Sequence, residues 1–148
     1  MLIRDIMTTN VVSIPSNTSL ADARRIMDTH QVKRLPVVDK GKLVGIVTRD
    51  RLDKAGPSEL TTFSKQELNY LLNRLTVKEV MNRDLVTLSP DATIEEALVL
   101  AQVSKSRSFL VMENSYLVGI VTTNDFFYNV LTHLFGISRP GVMVSVNK

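Results

Sequence analysis

Apolar positions along the chain follow one plan, laid down twice. The run Val11-Val12-Ser13-Ile14 stops at Pro15-Ser16-Asn17 and predicts a short strand and a turn. Leu20, Ala23, Ile26 and Met27 then recur at helical spacing, with Ser19 placed to cap the helix and Asp22 at its third position. Leu35–Val38 and Leu43–Val47 flank the polar turn Asp39-Lys40-Gly41-Lys42 and predict a hairpin, with a helix after Thr48. The plan returns as strand Leu85–Leu88, turn Ser89-Pro90-Asp91, and cap Thr93 with Glu96. Its helix face is Ile94, Ala97, Leu100 and Ala101. The second hairpin is Phe109–Met112 and Leu117–Val121 around Glu113–Tyr116, and a helix follows Thr122. Leu-Val-Gly-Ile-Val-Thr stands in both copies, at Leu43–Thr48 and Leu117–Thr122, 74 residues apart. Each copy reads β-α-β-β-α, so the fold class is α/β (α+β) with one unit used twice.

A unit of roughly 60 residues buries too little surface to stand alone, so the copies are expected to share a core as a pseudo-two-fold pair with paired clefts. That plan favours a binding module over an enzyme with one asymmetric centre. Ala55-Gly56-Pro57-Ser58 ends the first unit, and Ser64 caps a helix carrying Leu68, Leu71, Leu72 and Leu75. The expected organisation is therefore a first domain at 1–57, a helical connector at 58–75, a second domain at 76–133 and a tail at 134–148. Arg139 to Val146 alternates like a strand, which suits a frayed terminus, an edge strand or the first strand of a further domain.

Composition narrows the chemistry. The chain has no cysteine, hence no disulfide framework, thiolate nucleophile or thiolate metal ligand. Its two histidines, His30 and His133, lack metal-ligand spacing and a matched base, and His30 reads as a helix-end or surface residue. No Gly-x-Ser-x-Gly elbow occurs, so the chain is not expected to be an enzyme. No apolar run reaches the roughly 18 residues of a membrane span and no signal-peptide plan opens the chain, so the expected location is the cytoplasm. Residues 1–74 hold 12 Lys/Arg against 8 Asp/Glu, and residues 75–148 hold 6 against 7. A mild positive field in the first half suits a small anion better than nucleic acid, which calls for a denser basic face.

The ordered motifs, strand–turn–helix, Leu-Pro-Val-Val-Asp and Gly-Ile-Val-Thr leading into a helix, resemble the cystathionine-β-synthase (CBS) domain. Two tandem copies resemble a Bateman module. The 55–58 connector, the run Glu67–Leu72 and Arg139-Pro140-Gly141 are similar to the bacterial subgroup, including acetoin-utilisation regulator-like proteins, in which an ACT domain follows the pair. The resemblance implies an adenosine-containing ligand in the cleft between the units: AMP, ADP, ATP, S-adenosylmethionine or NAD. The family's nucleotide signature is complete in Gly119-Ile120-Val121-Thr122-Thr123-Asn124-Asp125. By that resemblance Thr122 holds phosphate, Asp125 the ribose hydroxyls, and Leu85, Val86 and Thr87 border the base, with Asn124 inside the motif. The first copy, Gly45-Ile46-Val47-Thr48-Arg49-Asp50-Arg51, departs from it: Arg51 stands where the ribose carboxylate belongs.

Read from the residues alone, each candidate has two accounts. Thr122 at a helix start suits a phosphate, yet Thr122 with Asp125 is also a well-spaced capping pair. Thr48 repeats the position without the acid. Arg34 and Arg51 suit phosphate oxygens or a solvated surface pair. Gly45 and Gly119 suit close approach of a ligand or of the partner unit, or a strand bulge or packing position. Tyr70 and Tyr116 suit a cleft lining, and Phe126, Phe127 and Tyr128 combine core packing with one exposed ring. The first reading of the whole is a ligand-sensing regulatory module; the second is a ligand-free structural or dimerisation module. Ile26, Met27, Leu100, the 68–75 face or Phe126-Phe127 offer apolar area for a homodimer.

Overall fold

A computed structural model describes residues 1–55 and 64–136. The elements run α1 (Leu20–His30), β1 (Arg34–Asp39), β2 (Lys42–Thr48), α2 (Arg49–Ala55) and α3 (Lys65–Arg74). They continue as β3 (Thr87–Leu88), α4 (Ile94–Ser104), β4 (Ser108–Glu113), β5 (Tyr116–Thr122) and α5 (Thr123–Phe135). The chain divides into an inner unit, Val11–Leu85, and an outer unit made of Met1–Asn10 with Val86–Lys148.

Local chemistry sets the elements in both units. Ser19 accepts a hydrogen bond from the Asp22 N–H at 3.0 Å, and Thr93 does the same for Glu96 at 3.1 Å, so α1 and α4 start at the side chains that cap them. The hairpin β1–β2 turns on Lys40 and Gly41 at φ +51° and +78°, and β4–β5 on Asn114 and Ser115 at φ +53° and +70°. Two positive-φ residues in a row match the strand twist across a two-residue loop. Ser16 donates from its N–H and hydroxyl to Asp39 at 2.8 and 2.6 Å, which holds the Asp39 carboxyl below its usual range.

The first strand of each copy is shorter than its apolar run. In the outer unit β3 pairs in parallel with β4, giving the order β3-β4-β5. In the inner unit only Ile14 pairs, with Val37. A single residue explains the difference. The Leu110 N–H donates to the Val86 carbonyl at 3.1 Å, whereas its equivalent, Pro36, has no N–H to offer Val12.

Both units are completed from a distance in the chain. The segment Met1–Thr8 runs against the outer unit: Ile3 and Arg4 donate to the carbonyls of Ala92 and Pro90 at 2.8 and 2.9 Å, and Thr8 pairs with Ile120. Val77 and Lys78 donate to Thr18 and Ser16 at 2.8 and 3.1 Å, and Asn82 pairs with Ile46, in the same pattern within the inner unit. Ile3 is fully buried with Leu88, Ala97, Phe109 and Val121, and Val77 with Leu20, Met27, Leu35 and Val47. Met27 thus belongs to the core and not to an association surface, and Leu100 is partly buried against the outer core. The connector helix α3 packs on α1, with Leu72 and Leu75 against the inner core.

Gly45 and Gly119 serve these returning segments. A Cβ at Gly119 would lie 2.6 Å from Met7 Sδ and 3.1 Å from the Thr8 carbonyl; at Gly45 the neighbours are Met81 and Asn82 at the same distances. The close approach is made by the chain itself. Gly119→Ala is expected to cost about 1–3 kcal/mol through overpacking, read as a shifted urea midpoint. An unshifted midpoint would mean that Met7 yields at no cost. The expected strand at Arg139 to Val146 and most of the 55–58 connector lie outside the described residues.

Candidate functional site

Strand β5 delivers Thr122 to the start of α5, where sequence places the complete signature. Thr122 Oγ1 accepts from the Asp125 N–H at 3.4 Å, while Asp125 Oδ2 accepts from the Thr122 N–H at 2.7 Å and from its hydroxyl at 3.2 Å. That is a full reciprocal capping box. The Thr123 N–H donates to the Arg107 carbonyl at 3.0 Å, so the start of the helix already spends two of its N–H groups within the protein. Capping accounts for Thr122, whereas Asp125 has a further feature. It is buried, with 8% of its surface exposed, yet it lines a depression of about 180 Å³ with Asp5, Ile6, Tyr128, Asn129 and Thr132. This is smaller than the roughly 300–1,000 Å³ of a whole small-molecule pocket.

The remaining second-copy candidates are distributed around this point. Val86 just precedes β3 and Thr87 opens it, both bonded to β4, whose first residue Ser108 pairs with Thr122. They therefore share the outer sheet with the signature. Asn124 is exposed on α5, and Leu85 ends the inner unit.

The first-copy candidates Thr48, Arg34 and Arg51 gather in the inner unit. Thr48 is the register partner of Arg34 across the hairpin, and its Oγ1 accepts from the Arg51 N–H at 3.1 Å. Arg51 Nε donates to the Val80 carbonyl at 2.6 Å. Val80 is the repeat equivalent of Ile6, as Arg51 is of Asp125. Where the outer unit has a carboxylate beside a depression, the inner unit thus has an arginine fastened to its own returning segment. Asp50 does not replace the missing acid: it is exposed and paired with Lys54 at 3.1 Å. Arg34 is half-buried and has no ion-pair partner within 4 Å among the described residues.

Asp5, Ile6, Tyr128, Asn129 and Thr132 were not among the sequence candidates. Positions 125, 128, 129 and 132 share one helical face, which sequence spacing can reveal. Asp5 and Ile6 come from the returning segment, which it cannot. Tyr70 and Tyr116 are exposed, Phe126 is buried and Phe127 exposed. A wider depression of about 510 Å³ lies along α1, lined by Asn17, Asp22, Arg25 and His30 among others, outside every expected site. Among the described residues, no three His, Asp or Glu side chains gather as a metal site, and no helix is long and apolar enough to cross a membrane.

Comparison with known proteins agrees with the repeat. The CBS domain family matches the chain twice, at residues 3–57 and 77–131. Inosine-5'-monophosphate dehydrogenase of Korarchaeum cryptofilum is 33% identical over 121 residues, 80% of this chain; the chain spans only 22% of that enzyme's length. A Vibrio cholerae protein assigned to acetoin utilization has a solved structure with TM-score 0.72 and 29% identity, covering 95% of this chain and 98% of that one. The CBS domain pair of protein MJ0100, solved in complex with 5'-methylthioadenosine and S-adenosyl-L-methionine, has TM-score 0.70 and 29% identity over 92% of this chain and 96% of that one. The second of these structures is itself a CBS domain pair, the organisation that the family match gives to this chain.

Proposed function

Because this chain belongs to the CBS domain family as a tandem pair, we propose that it is a ligand-sensing regulatory module that binds an adenosine-containing small molecule at the Gly119–Asp125 signature. The observation that carries the reading is Asp125, a buried carboxylate that caps its helix and also lines a depression. A carboxylate accepts from the vicinal hydroxyls of a ribose, and the depression has room for a group of that kind. The likeness to a CBS pair that holds 5'-methylthioadenosine and S-adenosyl-L-methionine supports the adenosyl class. AMP, ADP, ATP, S-adenosylmethionine and NAD are the ligands to test. The module works as a cytoplasmic homodimer, and a following domain, of the ACT type by resemblance, reads its response.

The second reading, a structural module without ligand, draws on the same residues: the capping box by itself explains Thr122, and Arg51 is fastened in the first copy. Calorimetry on nucleotide-free protein separates the two. Saturable binding of at least one of the five ligands is expected, with one principal site per chain. Silence across the panel at millimolar concentration would leave the structural reading.

A further inference from the structure

The two copies carry opposite charge at corresponding places. The outer unit holds 5 Lys/Arg against 6 Asp/Glu, and the inner unit 13 against 9. The contrast is sharpest beside the signature. Asp125 and Asp5 both wall the outer depression, and among the described residues no Lys or Arg lines it. Seventy-four residues back, Asp125 and Tyr128 correspond to Arg51 and Lys54. The register partner of the signature threonine differs in the same sense: Arg34 stands opposite Thr48, whereas Ser108 stands opposite Thr122. Three cations of the first copy are thus a carboxylate, a phenol and a hydroxyl in the second. The start of α5 does not make up the deficit. Asp125 already sets a carboxylate on this positive helix end, accepting from the Thr122 N–H at 2.7 Å and its hydroxyl at 3.2 Å. The N–H groups of Thr123 and Asp125 are donated to the Arg107 carbonyl and to Thr122 Oγ1. Arg4, beside Asp5 in the chain, is held by Asp91 at 2.6 Å and Glu113 at 3.6 Å.

We propose that the outer site selects an adenosyl ligand whose 5' group is neutral or cationic and discriminates against 5'-phosphates. This rests on the adenosine-ligand reading and names the class of ligand within it. It departs from the phosphate-holding role that resemblance gives Thr122, whose hydroxyl and N–H are both turned to Asp125. A phosphate dianion at this depression would meet two carboxylates, a like-charge cost that water screens less around a buried group such as Asp125. A nucleoside instead brings hydroxyl donors, which carboxylates accept, and a sulfonium or ammonium group on its 5' side adds attraction. Asp5 is the second discriminating residue. It is supplied by the returning segment, and its carboxylate is fixed by the Leu2 N–H at 2.8 Å.

Adenosine and AMP differ only by the phosphate, so their ratio reads the discrimination. Competition against labelled adenosine on the nucleotide-free full chain, in EDTA, confines the measurement to one site. Adenosine should bind at least about 10-fold tighter than AMP, with ATP weaker still and S-adenosylmethionine at least equal to adenosine. Asp5→Asn keeps an acceptor for the Leu2 N–H and removes one charge, and Tyr128→Lys installs the inner-copy cation. Each should shrink the adenosine-to-AMP ratio at least about threefold. A partial loss of folding lowers both affinities alike and leaves the ratio unmoved. AMP or ATP matching adenosine, binding by phosphate-bearing compounds alone, or a ratio unchanged in both variants would overturn the selectivity and leave an adenosine-ligand site standing. AMP overtaking adenosine once magnesium is added would overturn it too, through a metal bridge from the carboxylates to the phosphate. Silence of adenosine, S-adenosylmethionine and every phosphate-bearing compound would overturn the ligand reading and the selectivity together.

Discussion

Ile3→Ala is expected to lose about 2–5 kcal/mol of stability, although the core that residue 3 fills is built from Leu88, Ala97, Phe109 and Val121, far along the chain. Its side chain is fully buried beside Ala97, Phe109 and Val121, and its N–H is donated to the Ala92 carbonyl at 2.8 Å. Truncation leaves a cavity in a core built by residues some ninety positions later, and the flanking pairing of Thr8 with Ile120 resists collapse of the segment into the gap. Hydrogen exchange should locate the damage in β4 and β5, with the Phe109 and Val121 amides losing protection and the inner strands β1 and β2 keeping theirs. Val77→Ala should reproduce the effect in the inner unit with a smaller loss, because valine gives up one methylene fewer. Urea denaturation checks both. A loss below about 0.5 kcal/mol for Ile3→Ala, the range of an ordinary surface change, would defeat the returning-segment account.

That arrangement marks the boundary of what the sequence discloses. Ser19, Thr93, Thr122 and the two hairpins were legible because caps and tight turns are settled by neighbours three or four residues away. Asp5-Ile6-Met7 and Glu79-Val80-Met81 stand 74 residues apart and share one pattern, but the sequence does not give their destinations. Each trio has the same pattern, so each fits either copy equally well, and the choice is made by connection lengths and packing. Several readings depended on that choice. Gly45 and Gly119 admit Met81 and Met7, whose approach only the folded chain reveals. Arg51 suited a phosphate or the surface in sequence, and it lies exposed with a bond to a carbonyl of the returning segment. The depression beside Asp125 needs Asp5 and Ile6 for its wall. A different limit explains the missing strand at Val11–Val12. Its hydrophobic run is sound, but the residue that denies it a partner is Pro36, on another strand.

Asp125→Ala is expected to weaken adenosine-ligand binding about 10- to 150-fold, the range that follows from removing hydrogen bonds to a charged group worth about 1.5–3 kcal/mol. Asp50→Ala is expected to change it little, since Asp50 is exposed and engaged with Lys54. The comparison matters because Asp125 has two functions in the proposed reading, and alanine removes both. Loss of the carboxylate frees the Thr122 N–H, which it now accepts at 2.7 Å, and breaking such a cap costs about 0.5–2 kcal/mol of stability. Thermal melts must therefore accompany the titrations. Asp125→Asn separates the functions: its carbonyl oxygen still accepts from Thr122, so the helix start is retained, while the charge that favours ribose hydroxyl donors is lost. A folded Asp125→Asn protein with weakened ligand binding assigns the carboxylate to the ligand. Full affinity in Asp125→Asn, with instability confined to Asp125→Ala, would leave Asp125 as a cap alone. Equal losses in Asp50→Ala and Asp125→Ala would place the principal site elsewhere than the second signature.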